Sequence, residues 1–108
     1  MPLFRVMLRG ENFLLDLTGE PELLEFDVTH FVRAADEAEA RRIATILTRQ
    51  NKYIRNALLN TSANPTRVTC LSIKRVWWTR KRSNGRYVFR PYNAGQGTEA
   101  FTETESAS

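Results

Sequence analysis

The chain of 108 residues holds one cysteine, one histidine and five glycines. A lone Cys70 makes no internal disulfide, which fits a reducing compartment, so a cytoplasmic protein is the expectation. One histidine and one cysteine do not make a zinc site. No apolar run approaches the ~20 residues that a bilayer-spanning helix needs, and no membrane is expected among the partners. The first ten residues interleave Arg5 and Arg9 with Phe4, Val6 and Leu8, unlike the unbroken apolar stretch of a signal peptide. Neither Gly10 nor Gly19 leads into a helix, so neither belongs to a phosphate-cradling loop. His30 sits in a strand pattern with no acid or nucleophile at a recognisable spacing, and reads as structural. Cys70 reads as a small buried hydrophobe. Glu11, Asp16 and the acids of residues 20–27 read as solvent-facing charge rather than a catalytic pair. These readings predict neither an enzyme nor a bound cofactor or metal.

Acid is also missing from most of the chain. Residues 40–98 hold thirteen bases and no acid, whereas residues 1–39 hold nine acids against three bases. Residues 99–108 add three glutamates and no base, and the whole returns to a net charge of +4. Such segregation bears on partners rather than on fold.

What is present is period. Phe4, Val6 and Leu8 alternate with Arg5, Met7 and Arg9, the pattern of a half-buried strand. Gly10-Glu11-Asn12 interrupts it before Phe13, Leu15 and Leu17 resume, which predicts one strand over residues 3–18 with a bulge or corner at the glycine. Thr18-Gly19-Glu20-Pro21 is turn chemistry. A second strand follows from Leu24 to about Ala34, pairing with the first as a hairpin. Asp36, with Glu39 three residues on, is a capping box that starts a helix. Along it Ala40, Ile43, Ile46, Leu47, Gln50, Ile54, Ala57 and Leu58 share a sector about 120° wide, the buried stripe of one helix running to the polar loop before Pro65. Arg41, Arg42, Arg49, Lys52 and Arg55 make a basic helix face. Residues 67–79 and 86–92 read as two further strands, with Asn84-Gly85 as a two-residue turn joining them in a second hairpin.

The expected fold class is therefore α+β, a two-layer β-β-α-β-β arrangement of one amphipathic helix on a mainly antiparallel four-stranded sheet. Residues 1–92 form the single domain and residues 93–108 a disordered acidic tail. One sheet face is left uncovered.

The run Arg5-Val6-Met7-Leu8-Arg9-Gly10-Glu11-Asn12-Phe13, with Thr29-His30-Phe31-Val32-Arg33-Ala34 leading into the acid-capped helix, resembles a group of small uncharacterised bacterial proteins. These share an Arg-Gly-Glu-Asn-Phe strand corner and a second strand ending in a Phe-Val-x-Ala step. The likeness spans residues 3–60. It implies the same strand-strand-helix start and carries no activity with it.

The sharpest candidate site is the second hairpin. Lys74, Arg75, Arg80, Lys81, Arg82, Arg86 and Arg90 are interleaved with Trp77, Tyr87 and Tyr92, cations for a phosphate backbone beside rings on which bases stack. The same residues also suit a solvated hairpin, in which arginine stems stack on cross-strand rings. The expectation is a non-enzymatic binding module for nucleic acid or another polyanion. The alternative is a protein-interaction module, either a homodimer through the open sheet face or an adaptor docking on an acidic protein.

Overall fold

The computed structural model describes residues 1–77 and 85–92. Arg80, Lys81, Arg82, the Asn84 turn position and the expected acidic tail lie outside the described residues. The elements are β1 (Leu3–Asp16), β2 (Pro21–Arg33), α1 (Glu37–Arg49), α2 (Lys52–Ala57), β3 (Arg67–Val76) and β4 (Arg86–Pro91). The fold is α+β: a four-stranded antiparallel sheet with one main helix, α1. No described helix is long and apolar enough to cross a membrane.

β1 and β2 pair along their whole length, from Leu3↔Arg33 to Asp16↔Pro21. Their turn closes through Asp16, whose carboxylate accepts from the Gly19 amide at 2.8 Å, while Gly19 takes a φ of 99° that suits glycine. The interruption expected at Gly10 is a bulge, with the register shifting between Gly10 and Phe13. Asn12 absorbs it at φ 62°, a left-handed conformation that asparagine tolerates better than most residues. The inserted residue returns Phe13 and Leu15 to the face that holds Val6 and Leu8, and all four are buried. Asn60 pins the bulge from the loop side, donating to the Asn12 carbonyl at 2.9 Å and accepting from the Leu14 amide at 2.8 Å.

The expected second hairpin is overturned. β3 pairs with β1 and β4 pairs with β2, so the order is β3-β1-β2-β4 and the two strands lie on opposite edges. The reason is apolar surface. β1 and β2 are 14 and 13 residues long, and a local β3–β4 pair would leave one of their edges bare. Instead Ile73 and Cys70 flank Val6 and Leu8, and Phe89 and Tyr87 flank Phe26 and Val28. Gly85 keeps a positive φ of 72°, spent on entry to β4, where its amide donates to the Thr29 carbonyl at 3.1 Å.

α1 packs on the face of the sheet that carries the core. Asp36 caps it as expected, accepting from the Glu39 amide at 2.9 Å, and Glu39 reaches back to the Ala35 amide. The single helix expected to run to the polar loop is instead two helices. Gln50 caps α1, and the Asn51 side chain caps α2 by accepting from the Ile54 amide at 3.1 Å. The break changes which residues are buried. Ala40, Ala44 and Thr48, one turn apart, form the contact stripe, whereas Ile46 and Leu47 remain 40% and 44% exposed. Small side chains allow the helix to approach the sheet closely, which leaves the larger neighbours on its flank. Ile54 and Ala57 of α2 complete the core.

Candidate functional site

The face of the sheet opposite α1 divides in two. Towards the Asp16 end, three arginines meet three carboxylates. Arg9 lies directly opposite Asp27 and bonds it twice, at 2.8 and 3.3 Å. Arg90 pairs with Glu25 and reaches the same Asp27 at 3.3 and 3.4 Å. Arg67 holds Glu11 at 3.4 Å and donates to the Tyr92 hydroxyl at 2.9 Å. Tyr92 and Arg67 come from opposite edges of the sheet, so their bond crosses its face. The Arg9 guanidinium, followed by that of Arg90, holds the Asp27 carboxyl below the usual carboxylate range. Of the acids read as solvent-facing charge, Glu11, Glu25 and Asp27 are therefore ion-pair partners.

Towards the Leu3 end the face is cationic. Arg5 stands directly opposite Lys74, a like-charge pair that costs stability in an isolated sheet. Phe31 lies on the other side of Arg5, and Arg86 projects from the next row, opposite Thr29. Among the described residues no carboxylate forms an ion pair with Arg5, Lys74 or Arg86. The Arg5 Nε atom is buried and has no hydrogen-bond partner among the described residues. A buried donor without an acceptor costs about 1–3 kcal/mol and calls for an explanation.

The sequence-derived site is thus dispersed. Lys74 and Arg86 share the cationic end. Arg75 opposes the buried Phe4 and so belongs to the helix side of the sheet, with its guanidinium 4.4 Å above the ring of Trp77. Trp77 is 79% exposed and remains available for stacking. Tyr87 is no platform: it is half-buried against Phe26, at 5.2 Å between ring centroids, and Phe89, at 6.1 Å. Arg90 and Tyr92 are committed to the ion-pair network, because the pairing that would have placed them beside the β3 cations does not form. Arg5 is the cation that sequence reasoning passed over. Its alternation with Phe4 and Val6 put it on the open face, but only the β1–β3 register sets it against Lys74.

The basic helix face is a separate surface, since α1 lies on the opposite side of the sheet. Arg42 contacts Glu39 at 3.7 Å and Arg49 donates to Thr66 at 2.8 Å. Between α1 and the outer edge of β3 runs an open groove of about 700 Å³. Cys70 lies in it, and burial pushes its thiol pKa up, away from nucleophilic chemistry.

His30 is buried, with its Nε2 atom 2.9 Å from the Thr48 hydroxyl. Thr48 spends its one hydroxyl proton on the Ala44 carbonyl, also at 2.9 Å. His30 must therefore donate from Nε2, which leaves Nδ1 unprotonated, and burial lowers the pKa of the ring. This is a satisfied core histidine.

Comparison with protein-family models, with characterised proteins and with solved structures found no match.

Proposed function

We propose that the chain is a two-layer, non-enzymatic binding module that takes a polyanion, nucleic acid foremost, on the cationic end of its open sheet face. One observation carries the reading. Among the described residues Arg5 keeps a buried, unpartnered Nε–H beside Lys74, Arg86 stands on the same face two strands from Arg5, and no acid forms an ion pair with any of the three. A phosphate there would accept from Arg5 and relieve the repulsion between neighbouring cations. Trp77, whose ring lies under Arg75 on the helix side, stands apart from this face. The rival, a homodimer through the open face, has less support, because half of that face is occupied by the ion pairs of Asp27, Glu25 and Glu11.

Fluorescence polarisation with single- and double-stranded oligonucleotides at low salt tests the reading. Binding should weaken steeply as salt rises. Lys74→Gln and Arg86→Gln should each reduce the slope of log K against log salt by about 1. Complete lack of binding at low salt sinks the proposal. Binding to an acidic protein but to no oligonucleotide would move the site to the adaptor reading.

Asp27→Asn should act in the opposite sense. It frees Arg9 and Arg90, so oligonucleotide affinity should rise while stability falls by about 0.5–1 kcal/mol, as for a partly exposed ion pair. The pH dependence follows from the lowered carboxyl. The Asp27 contribution is complete above the unfolded carboxylate pKa of about 4 and is lost as pH falls through the lower folded value. Urea titrations at pH 7 and pH 3 would show the variant and the parent converging at the acid end.

A further inference from the structure

The groove between α1 and β3 suits an extended acidic strand that carries one aromatic ring. Its apolar floor is Ile46, Val68 and Cys70, and Arg41 and Arg42 stand along its helix side. Among the described residues Arg41 has no carboxylate partner, and Arg42 has only Glu39 at 3.7 Å. β3 is an edge strand, so its outer backbone groups have no strand partner among the described residues. A second copy of β3 fits this edge badly. β3 carries Arg67, Lys74 and Arg75 and no acid, so self-pairing sets like charges against one another.

We propose that the segment Thr98–Glu105 of the same chain occupies this groove. Its sequence, Thr-Glu-Ala-Phe-Thr-Glu-Thr-Glu, places Glu99, Phe101, Glu103 and Glu105 at every second position. In an extended chain these four share one side, with threonines and Ala100 on the other. Phe101 then meets the apolar floor while the glutamates face Arg41 and Arg42. The reach is sufficient. The Tyr92 hydroxyl bonds Arg67, so the end of β4 and the start of β3 lie at the same end of the sheet. From β4 to a position just outside β3 is four strand spacings, or ~19 Å. The six residue steps from Tyr92 to Thr98 span ~20 Å when extended. The groove borders the first residues of β3, where such a segment would arrive. This surface lies on the helix side of the sheet, so the proposal stands or falls independently of anion binding on the open face.

Cys70, the one cysteine in the chain, lies in the groove and reports on its occupancy. The rate at which an uncharged maleimide modifies the full chain should rise about 10-fold on Glu99→Gln/Glu103→Gln/Glu105→Gln, as the weak ion pairs with Arg41 and Arg42 are lost. Phe101→Ala changes no charge and should also speed modification several-fold. High salt should accelerate the parent and leave the triple variant nearly unchanged. Equal rates in all three chains would overturn the proposal. Protection that grows with protein concentration would overturn it too, by assigning the groove to the segment of a second copy.

Discussion

Gly10→Ala should cost about 3 kcal/mol or more, a large part of the stability of a domain this size. A Cβ at position 10 would lie 2.3 Å from Cζ and 2.5 Å from Cε2 of Phe26, and 2.9 Å from Cε1 of Phe13. Those rings are buried and packed edge to face at 4.8 Å between centroids, so neither has room to move. Gly10 has no positive φ, and the cost is therefore steric rather than conformational. The glycine is where β1 gives up a side chain so that Phe26 can lie across the strand. Urea unfolding should show the midpoint falling with the slope unchanged. Phe26→Leu in the alanine background should recover part of the loss, giving a favourable coupling between positions that each destabilise alone. If Gly10→Ala unfolds within about 0.5 kcal/mol of the parent, the close packing around Gly10 is wrong.

The same region shows how far the sequence carries. Alternation of Phe4, Val6 and Leu8, a break at Gly10-Glu11-Asn12 and resumption at Phe13 specify β1 and its bulge, because strand period is a local property. Asp36 and Glu39 specify the start of α1 for the same reason. What local chemistry misjudged is the partner of each strand. Asn84-Gly85 suggested that β3 and β4 meet, but pairing is decided by the bare edges of β1 and β2, and those lie more than fifty residues away in the chain.

The candidate residues are dispersed for the same reason. Lys74 and Arg86 were legible as cations on strands, but Tyr87 proved to be a core ring beside Phe26, and Arg90 the partner of Glu25 and Asp27. Which arginine is neutralised is a question of register, not of composition. The acid-free span of residues 40–98 concealed this, because two of its bases, Arg67 and Arg90, pair with acids from residues 11–27. Arg5 went unnoticed for the converse reason. It belongs to the acidic third of the sequence, yet β3 brings it a cation as its neighbour.

Thr48→Val should destabilise the fold by about 1–3 kcal/mol at neutral pH, since it leaves the His30 Nε2–H buried without an acceptor. Three groups meet beneath the break between α1 and α2: His30 from β2, Thr48 from α1 and Tyr87 from β4. Burial raises the pKa of the Tyr87 hydroxyl, against smaller opposing effects of Thr48 and Asn51. Both lie near enough to bias its charge, yet the hydroxyl has no partner at hydrogen-bond distance. Among the described residues Thr48 is the acceptor that ties the histidine to the helix, and valine keeps the shape while removing it. The pH profile separates this role from the burial of the ring. Because the folded-state pKa of His30 is lowered, the fold favours the neutral imidazole. Its contribution is complete above the unfolded value of about 6.5 and declines as pH falls from there towards the lower folded value. Between pH 6.5 and pH 5 this is the only histidine that can titrate, so the fall in thermal midpoint over that range belongs to it. Thr48→Val should lower the whole profile and keep the acid slope, whereas His30→Gln should flatten the slope. A parent protein whose midpoint does not change from pH 7 to pH 5 would show that the ring is not held neutral by burial, and the two variants would then lose their distinct profiles.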